Sequence, residues 1–313
     1  MSNLLVALKA IGPLIFYMLL GYGLRRKEKF SDEAVSVMNS VVFKLLLPAT
    51  TFTAIYLSDI KSTLNLPFIC YAVGLILFIY VLTYFFVCSF TKENRKRGSM
   101  IQAIYRSNFV LIGAAIIENM YGPESLALPL LLAVFVSVTF NTLAIFTFEK
   151  FRGNKANINP LGILITFVTN PMIFGSLMGL LFHFLPPLPA PALATIKRLS
   201  MMTTPFAMIA VGASFKFETA VSDYREITAC VIGRLIAVPL IAMVISIAVG
   251  YRGVELATIL GMTMTPCAAA SYSMAEQMGG DGPLAGAAQV FTALFSSITM
   301  FLWVYLLQSF GVL

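Results

Sequence analysis

Apolar residues run along this chain in stretches of about 20, and that is the length an α-helix needs to cross a hydrocarbon core near 30 Å thick. The stretches predict about ten spanning helices, at 4–24, 34–57, 66–90, 100–121, 125–148, 161–184, 191–215, 226–249, 253–275 and 283–308. Only short polar loops separate them, so no soluble domain is expected between spans. The first run, Leu4 to Leu24, has no small-residue cleavage site after it and reads as a span rather than a removable leader.

Composition supports the membrane reading. Of 313 residues, 59% are hydrophobic and 11% charged, where a soluble domain carries roughly a quarter charged residues. The net charge of +7 does not point to nucleic acid, because much of the excess sits in three clusters beside spans. These are Arg25, Arg26, Lys27 and Lys29; Lys92, Arg95, Lys96 and Arg97; and Lys150, Arg152 and Lys155. They follow the first, third and fifth spans. A mixed-charge loop from Lys216 to Glu226 follows the seventh. Alternate loops, such as Asp59/Lys61 and Tyr251–Glu255, carry few cations. Lys and Arg concentrate on the cytoplasmic side, so both termini are expected to be extracytoplasmic in a multi-pass cell-membrane protein. Lys197 and Arg198, near the outer start of the seventh span, dissent. Cys70, Cys88, Cys230 and Cys267 lie in apolar runs without metal spacing and read as small buried hydrophobes. His183 is the only histidine and reads as interfacial. No metal centre or cofactor is expected.

The chain also repeats itself. Pro13-Leu-Ile-Phe-Tyr-Met-Leu-Leu-Gly21 matches Pro171-Met-Ile-Phe-Gly-Ser-Leu-Met-Gly179 at a spacing of 158. Glu118-Asn-Met-Tyr-Gly122 matches Glu276-Gln-Met-Gly-Gly280 at the same spacing, and Pro48 matches Pro205 to within one residue of it. The halves divide as 1–150 and 151–313. Each holds five spans, an odd number, so the second enters the membrane inverted. Inverted repeats are a transporter architecture with the binding site near the bilayer midplane.

Two symmetry-related spans look broken. The fourth carries Ser107, Asn108 and Gly113 in mid-helix. The ninth carries Thr265, Pro266, Cys267 and a small-residue run to Ser271. Proline removes a backbone donor and clashes with the preceding turn. Unwound backbone is tolerated in a membrane only where protein or a water-filled cavity surrounds it. A kinked packing helix is the bland alternative. The functional reading makes Ser107, Asn108, Val110, Gly113, Thr265, Pro266, Cys267 and Ser271 candidate substrate ligands.

At these residues the chain resembles the auxin efflux carrier family. Asn108-Phe-Val-Leu-Ile-Gly113, ending in Met120-Tyr-Gly122, is similar to that family's fourth-span motif. Asn170-Pro171 with Ser176-Leu-Met-Gly179 is similar to its sixth span, Pro205 to Gly212 to its seventh, and Pro266 with its small-residue run and Ala275-Glu276 to its ninth. The likeness covers essentially the whole chain, and the short loop after the fifth span resembles compact prokaryotic members rather than the long plant carriers. The resemblance implies an all-α fold of ten spans shared with bile-acid and sodium–proton carriers. It implies a scaffold of spans 1, 2, 6 and 7, usually dimeric, and a transport part of spans 3–5 and 8–10. The fourth and ninth spans would cross at the substrate, a small organic anion such as malate, malonate or an auxin-like acid. The family's fourth-span Pro is Ala115 here, and a second ninth-span Pro is Ser271, so a less sharply broken crossing is expected.

Charges within spans are costly and are functional candidates by default. Lys44 and Arg106 are candidates to meet an anion; the alternatives are snorkelling to the interface for Lys44 and a plain extension of the nearby basic cluster for Arg106. Arg234 reads as snorkelling. Glu118 and Glu276 hold equivalent repeat positions and are candidates to bind a proton or sodium, against a plain interfacial role. The expected function is elevator-type alternating access for a small carboxylate in contact with membrane lipid. An anion channel or uncoupled facilitator is the alternative, but no pore-lining ring of repeated polar residues is evident. An enzyme is not expected, since no convincing nucleophile–base set or metal cluster lies in the spans.

Overall fold

A computed structural model describes residues 2–57, 65–152 and 169–313. The loop charges Asp59 and Lys61, the basic Lys155 and the first part of the sixth span lie outside the described residues, as do the side chains of Val110 and Ala115. Among the described residues the fold is all-α, and the one β feature is a single isolated bridge.

In chain order the principal helices are α1 (Ser2–Arg26), α2 (Asp32–Tyr56), α3 (Leu66–Phe90), α4 (Asn94–Tyr105), α5 (Ala114–Tyr121), α6 (Ala127–Phe151), α7 (Pro171–His183), α8 (Ala190–Ser214), α9 (Tyr224–Val249), α10 (Gly253–Met264), α11 (Ala270–Gln277) and α12 (Gly282–Ser309), with a short helix at Phe217–Ser222 between α8 and α9. Five of them, α2, α3, α6, α9 and α12, are long and apolar enough to cross a membrane. At about 1.5 Å per residue, a helix of 25 residues reaches well past a 30 Å core. Helices α1 and α8 each have 25 residues. The fourth and ninth apolar runs each fold as two short helices, α4/α5 and α10/α11. Helices α3, α7, α8 and α9 carry exposed Phe85, Phe174, Met201 and Val244 in turn, as expected where lipid tails rather than water cover the chain.

Local sequence explains the helix boundaries. Ser31 and Asn65 accept the backbone N–H groups of Ala34 and Phe68, capping α2 and α3. Asn170 and Asp281 do the same for α7 and α12, through Met172 and Leu284, and a proline follows at the first or second helical position. Three helical runs contain π-helical turns, at Val42–Leu46, Phe109–Gly113 and Gly233–Ala237. Such turns widen the helix and expose carbonyls, and they recur at functional sites.

Glycines let two helix pairs approach to backbone distance. In α1 and α8, a Cβ on Gly21 would collide with the Ile209 carbonyl, and one on Gly212 with the Met18 carbonyl. In α2 and α7, a Cβ on Gly179 would meet the Phe52 carbonyl at 2.7 Å, and one on Gly175 would strike Pro48. The Gly21 and Gly179 contacts correspond. Gly21 and Gly179 are 158 positions apart, while Ile209 and Phe52 each lie four residues after a proline, Pro205 and Pro48. Small residues at such contacts are how membrane helices pack closely. Gly212→Ala is expected to lower the melting temperature in detergent by roughly 3–10 °C, because overpacking against backbone costs about 1–3 kcal/mol. An unchanged melting temperature would mean that α1 and α8 do not make this contact.

Several of the remaining helices are tied together at the two rims. At one rim Lys96, opening α4, bonds Asp223 at 2.9 Å and Glu226 at 3.3 Å beside the start of α9. The Asp223 bond, with Glu226 beside it, holds the Lys96 ammonium above the ordinary lysine range. Arg95 binds the Gly280 carbonyl through Nε and Nη2, and the Asp281 N–H donates to the Arg95 carbonyl. At the opposite rim Tyr71 pairs with Ser246 at 2.7 Å, and Asn65 donates to Glu255 at 3.2 Å. These bonds link α3, α4, α9, α10 and α12.

Candidate functional site: a crossing of two broken helices

Thr265 precedes Pro266, and the clash of the proline ring drives a preceding residue out of the helical region. Thr265 accordingly has φ −74° and ψ 154°, and α10 ends at Met264. No proline acts in the other segment, yet α4 stops just as sharply. Arg106 is extended at φ −90°, ψ 121°, and Asn108 lies at φ −93°, ψ 49°. The milder break expected from Ala115 and Ser271 is therefore not what the fold has. The reason is pairing across the two segments. Ser107 and Cys267 form an antiparallel bridge, the Asn108 N–H donates to the Pro266 carbonyl at 2.9 Å, and the Ala268 N–H donates to the Arg106 carbonyl at 3.4 Å. Asn108 and Pro266 are themselves 158 positions apart. Each break supplies the backbone partners that the other lacks. Gly113 and Gly261 bring the helices together beyond the break, since a Cβ on Gly113 would meet the Gly261 carbonyl at 2.8 Å.

Two arginines are buried at this crossing. Arg106 reaches Asn141 on α6 at 2.7 Å, Met274 Sδ at 2.7 Å and Gln102 at 3.4 Å. All three partners are neutral. Among the described residues the ion pairs lie elsewhere, at Arg25–Asp32, Arg152–Glu149 and around Lys96. A buried cation without a counter-ion is expensive unless something anionic joins it.

Arg234 corrects the snorkelling expectation. Its side chain is 0% exposed and turns inward from the π-helical turn of α9. It donates to the carbonyls of Ile104 (3.0 Å) and Tyr105 (3.0 Å) at the end of α4. It also donates to those of Met262 (3.4 Å), Thr263 and Thr265 (3.0 Å) at the end of α10. The last four carbonyls of a helix have no intrahelical partner, and here one guanidinium serves two such ends. Gly233 lets α9 approach Ile104, which a Cβ would meet at 3.1 Å. Trp303 donates to the Leu235 carbonyl at 2.9 Å within the π-helical turn.

Several buried polar atoms around the break have no partner among the described residues. They are Gln102 Nε2, Ser107 Oγ, Thr265 Oγ1 and Ser271 Oγ on the two broken segments, and Gln289 Oε1 on α12. Buried groups of this kind are rare and call for a ligand, an ordered water or a function. Asn108 is also buried. The Cys267 N–H donates to Thr292 at 3.4 Å, and its buried thiol faces no metal-ligand cluster among the described residues.

Of the residues singled out by sequence, the structure brings Arg106, Ser107, Asn108, Gly113, Thr265, Pro266, Cys267 and Ser271 together. Lys44 is elsewhere. It is exposed on the face of α2 that carries Val37, Val41 and Leu45, with no bond to the crossing among the described residues. Glu118 and Glu276 are both exposed, at the far ends of α5 and α11. Those ends lie on opposite sides of the crossing, for Arg95 at the start of α4 already touches Gly280 just beyond α11. The two carboxylates do not share one site. Cys230 and Cys267 are buried as expected, but Cys70 is exposed and Cys88 half-buried. Gln102, Asn141, Arg234 and Gln289 escaped the sequence reading of the site. Their signal was a polar side chain within an otherwise apolar run.

Two contacts reach from α2 toward the crossing. Buried Asn39 donates to the Tyr272 hydroxyl at 3.0 Å and accepts from Ser273 at 3.4 Å. On the Lys96 rim, a cavity of about 170 Å³ opens between α2/α7 and α6/α11, lined by Phe43, Glu149, Arg152, Asn170, Gln277 and Met278.

Comparison with known proteins places the chain in a family. The family described as "Membrane transport protein" matches residues 6–304. A protein of Methanothermobacter thermautotrophicus named "Uncharacterized transporter" is 23% identical over 289 residues, covering 91% of this chain and 93% of its own. A Rhizobium meliloti protein named "Putative malonate transporter" is 24% identical over 306 residues, covering 95% and 94%. The Escherichia coli protein named "Uncharacterized transporter YfdV" is 24% identical over 309 residues, covering 94% and 95%. With motifs, crossing and family match spanning nearly the whole chain, the protein belongs to the auxin efflux carrier family of membrane transport proteins.

Proposed function

We propose that this protein is a secondary active transporter that moves a small carboxylate, of the malonate or malate class, across the cell membrane by an elevator-type alternating-access cycle. One observation carries the reading: two interrupted helices pair through their backbones around buried unpartnered polar atoms, beside an Arg106 that has no carboxylate partner among the described residues. An anion seated there would pair with Arg106. It would also accept from Asn108, and from Ser107 and Gln102, whose buried polar atoms otherwise lose their hydration without return. The name of the Rhizobium meliloti relative supports a dicarboxylate of malonate size.

In this reading the chain is two inverted halves, residues 1–150 and 151–313. Supporting it are the matched glycine contacts of α1/α8 and α2/α7, and the bond that joins Asn108 to its counterpart Pro266. Helices α1, α2, α7 and α8 form a scaffold. Helices α3–α6 and α9–α12, bonded at both rims, move as one body and carry the crossing. The cavity beside Arg152 is the cytoplasmic approach to the site, on the side of the three basic clusters. Both termini are then extracytoplasmic.

Uptake into proteoliposomes tests the reading, with labelled malonate and malate as probes. Asn108→Ala is expected to cut uptake at least about tenfold, through loss of a buried hydrogen bond worth roughly 1.5 kcal/mol or more, while expression and melting stay near wild type. Full uptake by Asn108→Ala would remove Asn108 from the site. Absence of uptake of any small carboxylate by the wild-type protein would remove the substrate class.

A further inference from the structure

We infer that Arg234 is a built-in cation occupying the place where a bound metal ion would otherwise hold the crossing together, so that the site is complete without sodium. The inference goes beyond the proposed function and needs no assumption about the transported solute.

Helices α4 and α10, of 12 residues each, point their C-termini at the same spot. A helix C-terminus carries roughly half a negative charge, so two converging ends present about one. Their unbonded carbonyls lie inside the protein, away from water. Two kinds of positive group satisfy such a cluster. One is a mobile hard cation, because carbonyl oxygens at unwound or terminal backbone are good ligands for sodium. The other is a fixed side chain. Here the five carbonyls of Ile104, Tyr105, Met262, Thr263 and Thr265 all receive the Arg234 guanidinium. It has five N–H donors in a flat fork, which suits two carbonyl groups on either side of it. One positive charge balances about one negative charge, and no carbonyl in the set is left for a metal.

Arg234 and Arg106 therefore divide the work. Arg234 bonds only backbone carbonyls and acts as a positioning residue that sets where the two breaks meet. Arg106 bonds neutral side chains and keeps capacity for an anion. The sodium expected as a candidate coupling ion has no role at this end of the crossing, and Glu118 and Glu276 sit too far apart to restore it together.

Removing the guanidinium should create the cation site that Arg234 now fills. The test is the melting temperature of purified protein in detergent, in sodium chloride against choline chloride at equal ionic strength. Wild type is expected to shift by less than about 1 °C between the two salts. Arg234→Ala is expected to melt lower in choline and to regain roughly 3 °C or more in sodium, or with about 20 mM methylguanidinium, through binding to the emptied carbonyl cluster. Arg234→Lys keeps the charge and is expected to melt below wild type without a sodium response. A purely packing role predicts that none of the variants responds to a cation, and that result would overturn the inference. Sodium stabilising the wild type by several degrees would overturn it equally. If Arg234→Ala yields no folded protein, Arg234→Gln, which retains stem length without charge, takes its place in the same comparison. Because no carboxylate is added, failure here is separable from failure of the substrate assignment.

Discussion

Arg106→Gln is expected to abolish carboxylate uptake while leaving the protein folded. Truncating one partner of a buried, hydrogen-bonded charge pair costs about 2–5 kcal/mol, which is roughly 30-fold or more in affinity. Glutamine keeps a donor toward Asn141 and enough length to fill the space beside Met274, so the neutral partners of Arg106 stay occupied. Stability should change little or improve, because an unpaired buried cation is removed from the unliganded protein. The two readouts thus move independently: binding of malonate by calorimetry falls below detection, and the melting temperature holds or rises. Arg106→Lys is expected to recover only part of the binding, since a single ammonium does not reproduce the planar fork. Wild-type affinity in Arg106→Gln would place the anion elsewhere.

A covalent tie between α2 and α11 is expected to stop transport completely and reversibly. Asn39 lies on the proposed scaffold, and Tyr272 and Ser273 on the proposed moving body, with Asn39 and Ser273 side chains 3.4 Å apart. An elevator cycle must slide these elements past each other, so the bonds at Asn39 have to break in each turnover. The variant Asn39→Cys, Ser273→Cys should form a disulfide on mild oxidation, given side chains already in contact. Uptake should fall to background when oxidised and return when reduced. Each single variant should be insensitive to oxidation, which controls for the native cysteines, of which Cys70 is exposed. Undiminished uptake with the bridge fully formed would rule out sliding between α2 and α11, and the elevator with it.

Much of the architecture was legible in the sequence because lipid imposes a coarse rule. Apolar runs must be long, and the five long apolar helices coincide with runs read directly from the chain. The break at Pro266 was legible for a local reason, since a proline ring acts on the residue before it. The break at Arg106 was only half legible. Ser107 and Asn108 weaken a helix, but what holds the chain extended there is backbone pairing to residues 266–268, which no local window contains. Arg234 was misread for the same kind of reason. Position along a span gives distance from the membrane edge and says nothing of what lies opposite, and here the opposite surface is a pair of open helix ends. Lys44 shows the converse. Its place deep in a span suggested the site, whereas its helical face, shared with Val37, Val41 and Leu45, turns it outward.

The reach of Arg234 also bears on how the protein is made. The carbonyls of Ile104 and Tyr105 enter the membrane about 130 residues before the side chain that satisfies them is synthesised. Until then the nascent first half holds an interrupted segment with exposed main chain in an apolar solvent, a state that favours quality-control proteases or a membrane chaperone. Arg234 on α9 ends that exposure for α4, and the α10 carbonyls, made about 30 residues later, meet a guanidinium already in place. The first broken segment therefore stays incomplete until α9 is made, and a chain truncated before residue 234 is expected to be degraded faster than one that includes α9.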